Sequence, residues 1–142
     1  MTTDEIADRL EIAELVHAYA LHIDLFQIDD WVDLFTQDAF FDEREFGSGL
    51  HIGREAIRAY GRVLAATVRH AAHLMTNLVI RDLTTNSANG VLFGLVEAQL
   101  KDGMRTRWQV RYEDCYAKVD GAWKISRRVL RKTFPEEMIQ KP

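Results

Sequence analysis

The spacing of apolar and polar positions changes period about halfway along the chain. Over residues 3–27 it is helical. At about 100° per residue, Ile12, Leu15, Val16, Tyr19, Ile23 and Phe26 fall in one apolar band. Ile6, Leu10, Ala13, Ala20 and Ile28 widen that band to a second edge, while Glu11, Glu14, His22 and Asp29 take the wet side. A short second helix is predicted over DDWVDLF, with Asp29 or Asp30 as its N-cap. A third runs over residues 54–68, entered through Gly53.

Beyond that point the period becomes two. Strands are predicted over residues 73–81, 91–101, 105–119 and 122–134, with a short earlier one over 39–43. Turns fall at 86–90, at Asp102–Gly103 and at Asp120–Gly121, the last two being hairpin dipeptides. Helices followed by an antiparallel meander predict an α+β fold with the helices on one sheet face.

Composition narrows the class. A chain of 142 residues is one domain's worth, spanning 1–142, and its 47% hydrophobic content supplies one core without a staple. The single cysteine, Cys115, excludes an internal disulfide framework and any multi-cysteine metal site. No apolar run reaches membrane-spanning length, and the opening MTTDEIADRLE is acidic, unlike a targeting peptide. A cytoplasmic location is the expectation, with no membrane partner.

Charge is uneven: residues 1–50 carry a net −11 and residues 51–142 a net +7. The bases interleave with acids and apolar residues, so acidic helices over a basic sheet explain them better than a binding tract. The aromatics Trp108, Tyr112, Tyr116 and Trp123 occupy the parity that a strand buries. Nucleic acid is therefore not expected as a partner, despite the bases around them.

Few residues stand out chemically. Asp24 lies in line with Ala13, His17 and Ala20 at the edge of the buried band, where a carboxylate needs a partner or an exit to solvent. His73 opens an alternating strand and shares a face with Met75, Asn77 and Val79. Such a histidine is either a satisfied core residue or, beside a buried carboxylate, a general base. His70 and His73 point to opposite faces at strand spacing, so no metal site is expected. Tyr19 is a core residue whose phenol can also serve as an acid. Arg131 has the parity of Trp123, Ile125 and Val129, which would turn it toward an interior cavity. Cavity size would depend on how Phe26, Phe35, Phe41, Met75, Phe93 and Trp108 pack. There is no GxSxG, Walker loop or GxGxxG.

The succession YALHID, DDWVDLFTQDAFFD, GREAIRAY, HAAHLMTNLVI and RYEDCYAKVDGAWKISRRVLR resembles the SnoaL-like branch of the nuclear-transport-factor-2-like superfamily over nearly the whole chain. The resemblance implies a cone: three N-terminal helices packed in a strongly curved antiparallel sheet with an apolar pocket inside. It also implies a homodimer or higher homo-oligomer, often formed through the outer sheet face. Within the superfamily the chain is most similar to the scytalone dehydratase, lindane dehydrochlorinase and bile-acid dehydratase group. Those enzymes use an Asp–His dyad, matched here by Asp24 and His73, and the bile-acid enzyme's tyrosine is matched by Tyr19. An arginine late in that group's last strand is matched roughly by Arg131; Asn77 and Trp108 are the further candidate substrate-binding positions, with a small hydrophobic cyclic molecule as substrate and no cofactor. The activity implied is a dehydratase or dehydrohalogenase. An isomerase or cyclase using the same dyad is the alternative, as is a non-catalytic ligand-binding or assembly subunit like the dioxygenase small subunit.

Overall fold

Helix α1 (Thr3–Asp24) begins where its first turn can be closed by side chains. In the computed structural model, which describes residues 1–135 and 137–139, Thr2 Oγ1 accepts from the Glu5 amide at 3.1 Å. The Glu5 carboxylate takes the Thr2 amide at 2.6 Å in return, completing a capping box. The inner band is buried as expected through Ile12, Leu15, Val16, Tyr19 and Ile23; along the second edge Ala20 is buried and Ala13 and Ile28 are half-buried, but Ile6 and Leu10 are exposed. Their place is taken by Asp8, whose carboxylate accepts from Trp123 Nε1 at 2.8 Å and from Lys118 Nζ at 3.0 Å. The helix stops three residues short of the predicted end, and Phe26 turns the chain with a left-handed φ of 55°.

Helix α2 (Ile28–Val32) and strand β1 (Phe35–Asp42) follow, then a 3₁₀ turn (Arg44–Phe46) and strand β2 (Leu50–Ile52). Helix α3 (Arg54–Thr67) runs directly into β3 (Val68–Arg81). The meander is completed by β4 (Ser87–Leu100), β5 (Arg105–Val119), β6 (Ala122–Lys132) and β7 (Glu137–Ile139).

The sheet path is β2-β1-β6-β5-β4-β3, with β7 added to β5. Neighbours on the path are antiparallel except β1 and β6, which pair in parallel. The expected curved antiparallel sheet is thus present, with that one parallel pair within it. β1 is joined to β6 by no hairpin and enters the sheet beside it from far earlier in the chain. The sheet curves around the three helices in a cone, and its inner face forms the core with them. Along β5, Val110, Tyr112, Asp114 and Tyr116 face inward and are buried, as their shared parity predicts. Tyr112 and Tyr116 lie across β4 because Gly94 and Gly90 leave room; a Cβ on Gly94 would stand 2.7 Å from the Tyr112 ring.

Of the register shifts in the sheet, two decide which side chains of late β3 and of β6 reach the interior. β3 carries one extra residue between Thr76 and Val79 relative to β4, and β6 carries an extra residue, Ser126, opposite the Cys115–Tyr116 step of β5. An extra residue exchanges the two faces of everything beyond it. In β3, Leu78 and Ile80 turn in toward the core while Asn77, at φ 57°, and Val79 are exposed. In β6, Arg128 and Leu130 turn inward. Among the described residues no helix is long and apolar enough to cross a membrane.

Candidate active site

The last residue of α1 and the middle of β3 meet at the wall of an interior cavity. Asp24 Oδ1 lies 2.5 Å from His73 Nδ1, and Asp24 Oδ2 accepts the His73 backbone amide at 2.8 Å. One carboxylate therefore holds both the ring and the main chain of the same residue. The two side chains are only 13% and 21% exposed, so water competes little for the contact. With Nδ1 engaged by the carboxylate, the ring proton is favoured on Nδ1, leaving Nε2 as the acceptor. His70, of the opposite parity, is exposed.

The cavity has a volume of about 250 Å³. An apolar cavity of about 150 Å³ holds benzene, so this one admits a substituted ring. Its wall is largely apolar, with Ile23, Phe26, Leu64, Val96 and Leu100 contributing. Tyr19 and Trp108 line it as well. Tyr19 packs edge-on against His73, ring centroids 6.1 Å apart, and burial pushes its phenol well above the usual range. The hydroxyl thus stays protonated near neutral pH and is available as a hydrogen-bond donor. Trp108 stacks on Phe46 at 4.5 Å, and its buried indole Nε1 has no hydrogen-bond partner. The same holds for Nε1 of Trp31 on the cavity wall.

Two expected substrate-binding residues lie elsewhere. Asn77 sits on the β3 bulge, exposed and outside the cavity wall. Arg131 points away from the interior, 3.5 Å from Glu113 and 4.0 Å from Glu45. Both expectations extended an alternation of two across an extra residue, which reverses the face. Phe93, counted above among the residues setting the cavity size, is likewise on the outer face, opposite Arg111.

The arginine that does turn inward is Arg128, fully buried on Asp114. Its Nε and Nη2 donate to the two Asp114 oxygens at 2.9 and 2.7 Å, and Tyr116 donates to the same carboxylate at 2.6 Å. The guanidinium lies 4.2 Å from the Tyr19 ring centroid and 4.8 Å from that of Tyr112, so it fixes the floor beneath Tyr19. Sequence reasoning also passed over Glu43, which lines the cavity and is buried. Its signal was faint: the second of two adjacent acids after the apolar AFF run of β1.

The SnoaL-like domain family matches residues 4–129. A protein of Novosphingobium aromaticivorans, provisionally assigned as an aromatic ring hydroxylase, superposes with a TM-score of 0.90 at 29% identity, covering 94% of each chain. A provisionally assigned scytalone dehydratase of the same organism has a TM-score of 0.89 at 22% identity, covering 100% of this chain and 94% of its own. A type 2 hexachlorocyclohexane dehydrochlorinase gives 0.86 at 22% identity, covering 96% of this chain and 92% of its own. The last two likenesses show a shared fold.

Proposed function

Because the chain belongs to the SnoaL-like domain family, we propose that it is a lyase of the dehydratase or dehydrohalogenase type. Its substrate would be a small, largely apolar, cyclic molecule, and His73 would be the base. The observation that carries this reading is the double hold of Asp24 on His73 at the cavity wall. An imidazole clamped through Nδ1 has its Nε2 lone pair free to take a proton, and the adjacent carboxylate stabilises the imidazolium that results.

The step begins at a carbon next to a carbonyl, where the proton is acidic enough for imidazole to remove. Nε2 of His73 takes that proton, the C–H pair becomes the new double bond, and the group on the neighbouring carbon departs. Tyr19 donates a hydrogen bond to the carbonyl oxygen as negative charge develops there. The apolar wall excludes water, which strengthens each of these interactions. The dehydratase and dehydrochlorinase among the structural neighbours are consistent with a fold that supports elimination.

The test is turnover of cyclic β-hydroxy and β-halo ketones by the wild type and by His73→Ala. The substitution should lower kcat by about 10²–10⁴-fold, the usual contribution of a positioned base, with the fold retained by circular dichroism. An equal rate in the variant would remove His73 from the reaction. Tight binding of the ketones with no turnover by the wild type would point to a binding subunit.

A further inference from the structure

The cavity holds a carboxyl group that the reading above does not use. Glu43 follows the last residue of β1, and its backbone is fixed on three sides. Its amide donates to the Gly49 carbonyl at 2.8 Å, and its own carbonyl accepts the Phe46 and Ser48 amides at 3.0 and 3.1 Å. The side chain is therefore held against the cavity by a closed loop. The residue is 5% exposed, and its Oε2 is buried with no hydrogen-bond partner. An orphaned oxygen of this kind in a cavity wall is a place where a ligand atom belongs.

We propose that Glu43 is a further catalytic residue of this cavity, a neutral carboxylic acid that gives its proton to the oxygen leaving a hydroxylated substrate. The inference rests on the lyase reading and deepens it. β1 and β3 lie toward opposite ends of the sheet path, so acid and base reach the ligand from different walls. His73 removes the proton from carbon, and the C–H electron pair forms the C=C bond. The C–O bond breaks with its pair on oxygen, and that oxygen takes the Glu43 proton and departs as water. The imidazolium and the carboxylate left behind are reset when His73 returns its proton through solvent to Glu43.

The surroundings favour this division of labour. Burial raises the Glu43 carboxyl to about 7, against the Tyr60 hydroxyl of α3 and the Arg128 guanidinium of β6, which favour the anion; Asp42 beside it adds to the rise. Tyr19 of α1 and Tyr112 of β5 also face it. An acid near 7 is matched to donating a proton at neutral pH, whereas burial makes the Tyr19 phenol too weak an acid to release one. Tyr19 then polarises the carbonyl, and Glu43 serves the leaving group.

Leaving groups separate the roles, because hydroxide needs a proton to depart and chloride does not. The experiment follows formation of cyclohexenone from 3-hydroxycyclohexanone and from 3-chlorocyclohexanone, with the spontaneous rates subtracted. Glu43→Gln should lower kcat on the hydroxy ketone by about 10²-fold or more and leave the chloro ketone within a few-fold. His73→Ala should lose both. In the wild type, hydroxy elimination should decline as pH rises above about 7, a limb that Glu43→Gln removes. Tyr60→Phe keeps the acid and should move that limb to higher pH, which covers the case of a poorly folded Glu43→Gln. Equal losses on both ketones, or none, together with an unmoved limb in Tyr60→Phe, would overturn the role of Glu43 alone. A wild type that eliminates neither ketone would overturn the lyase reading and this inference with it.

Discussion

Asp24 grips His73 twice, once through the ring Nδ1 at 2.5 Å and once through the backbone amide at 2.8 Å. The second bond matters as much as the first, because it fixes the strand position from which the ring projects. Ring and backbone are positioned by one group, so a single substitution should loosen both.

Asp24→Asn is the direct probe of that grip. The short Nδ1 contact should place a strongly downfield proton resonance on His73 in the wild type, and the amide variant should lose it. Turnover should fall by at least about 10²-fold, because the imidazolium loses its counter-charge. A retained downfield signal in the variant would show that the proton is held by another group.

Arg128 and Arg131 should behave oppositely. Arg128→Leu leaves the Asp114 carboxylate buried without its partner, which costs about 3–5 kcal/mol. Arg131 is 46% exposed and only loosely paired, so Arg131→Ala should change stability by less than about 1 kcal/mol. It should leave turnover unchanged, since the side chain does not line the cavity. Denaturant melts of the two variants check the contrast.

Glu43 should make stability fall with rising pH. Its carboxyl is raised from an ordinary 4.5 to about 7, so between those values the folded chain binds more protons than the unfolded one. The contribution is fully present below about 4.5 and lost by about pH 7, a difference on the order of 3 kcal/mol. Glu43→Gln should flatten the profile over that window. Urea melts at pH 5 and pH 8 measure it; an identical slope in the variant would assign the effect to other groups.

Gly94 tests the packing beneath the cavity. A Cβ there would meet the Tyr112 ring at 2.7 Å. Gly94→Ala should therefore destabilise by about 1–3 kcal/mol, the usual cost of overpacking a filled core, as read by thermal unfolding. A neutral result would mean that Tyr112 has room to shift.

How much of this was legible in the letters follows from which interactions are local. The capped helix at the N-terminus, α3 opening after Gly53 and the whole of β5 are set by periodicity, turn residues and side-chain parity, all of which act over a few positions. Asp24 and His73 were visible as a carboxylate and an imidazole in places where neither is comfortable. Their contact, between residues 49 positions apart, was implied only by resemblance to a family.

Tertiary structure decided the rest. Parity carries a prediction along a strand only while the partner strand stays in step. The extra residues after Thr76 and at Ser126 break that step, turning Asn77 and Arg131 outward and Arg128 inward. The burial of Glu43 depends equally on distant segments, because α3 and β6 supply Tyr60 and Arg128 around it. The pattern of residues thus determined the elements and the kinds of chemistry available. Which side chains share the cavity was determined by register between strands, a property of pairs of segments that no single segment carries.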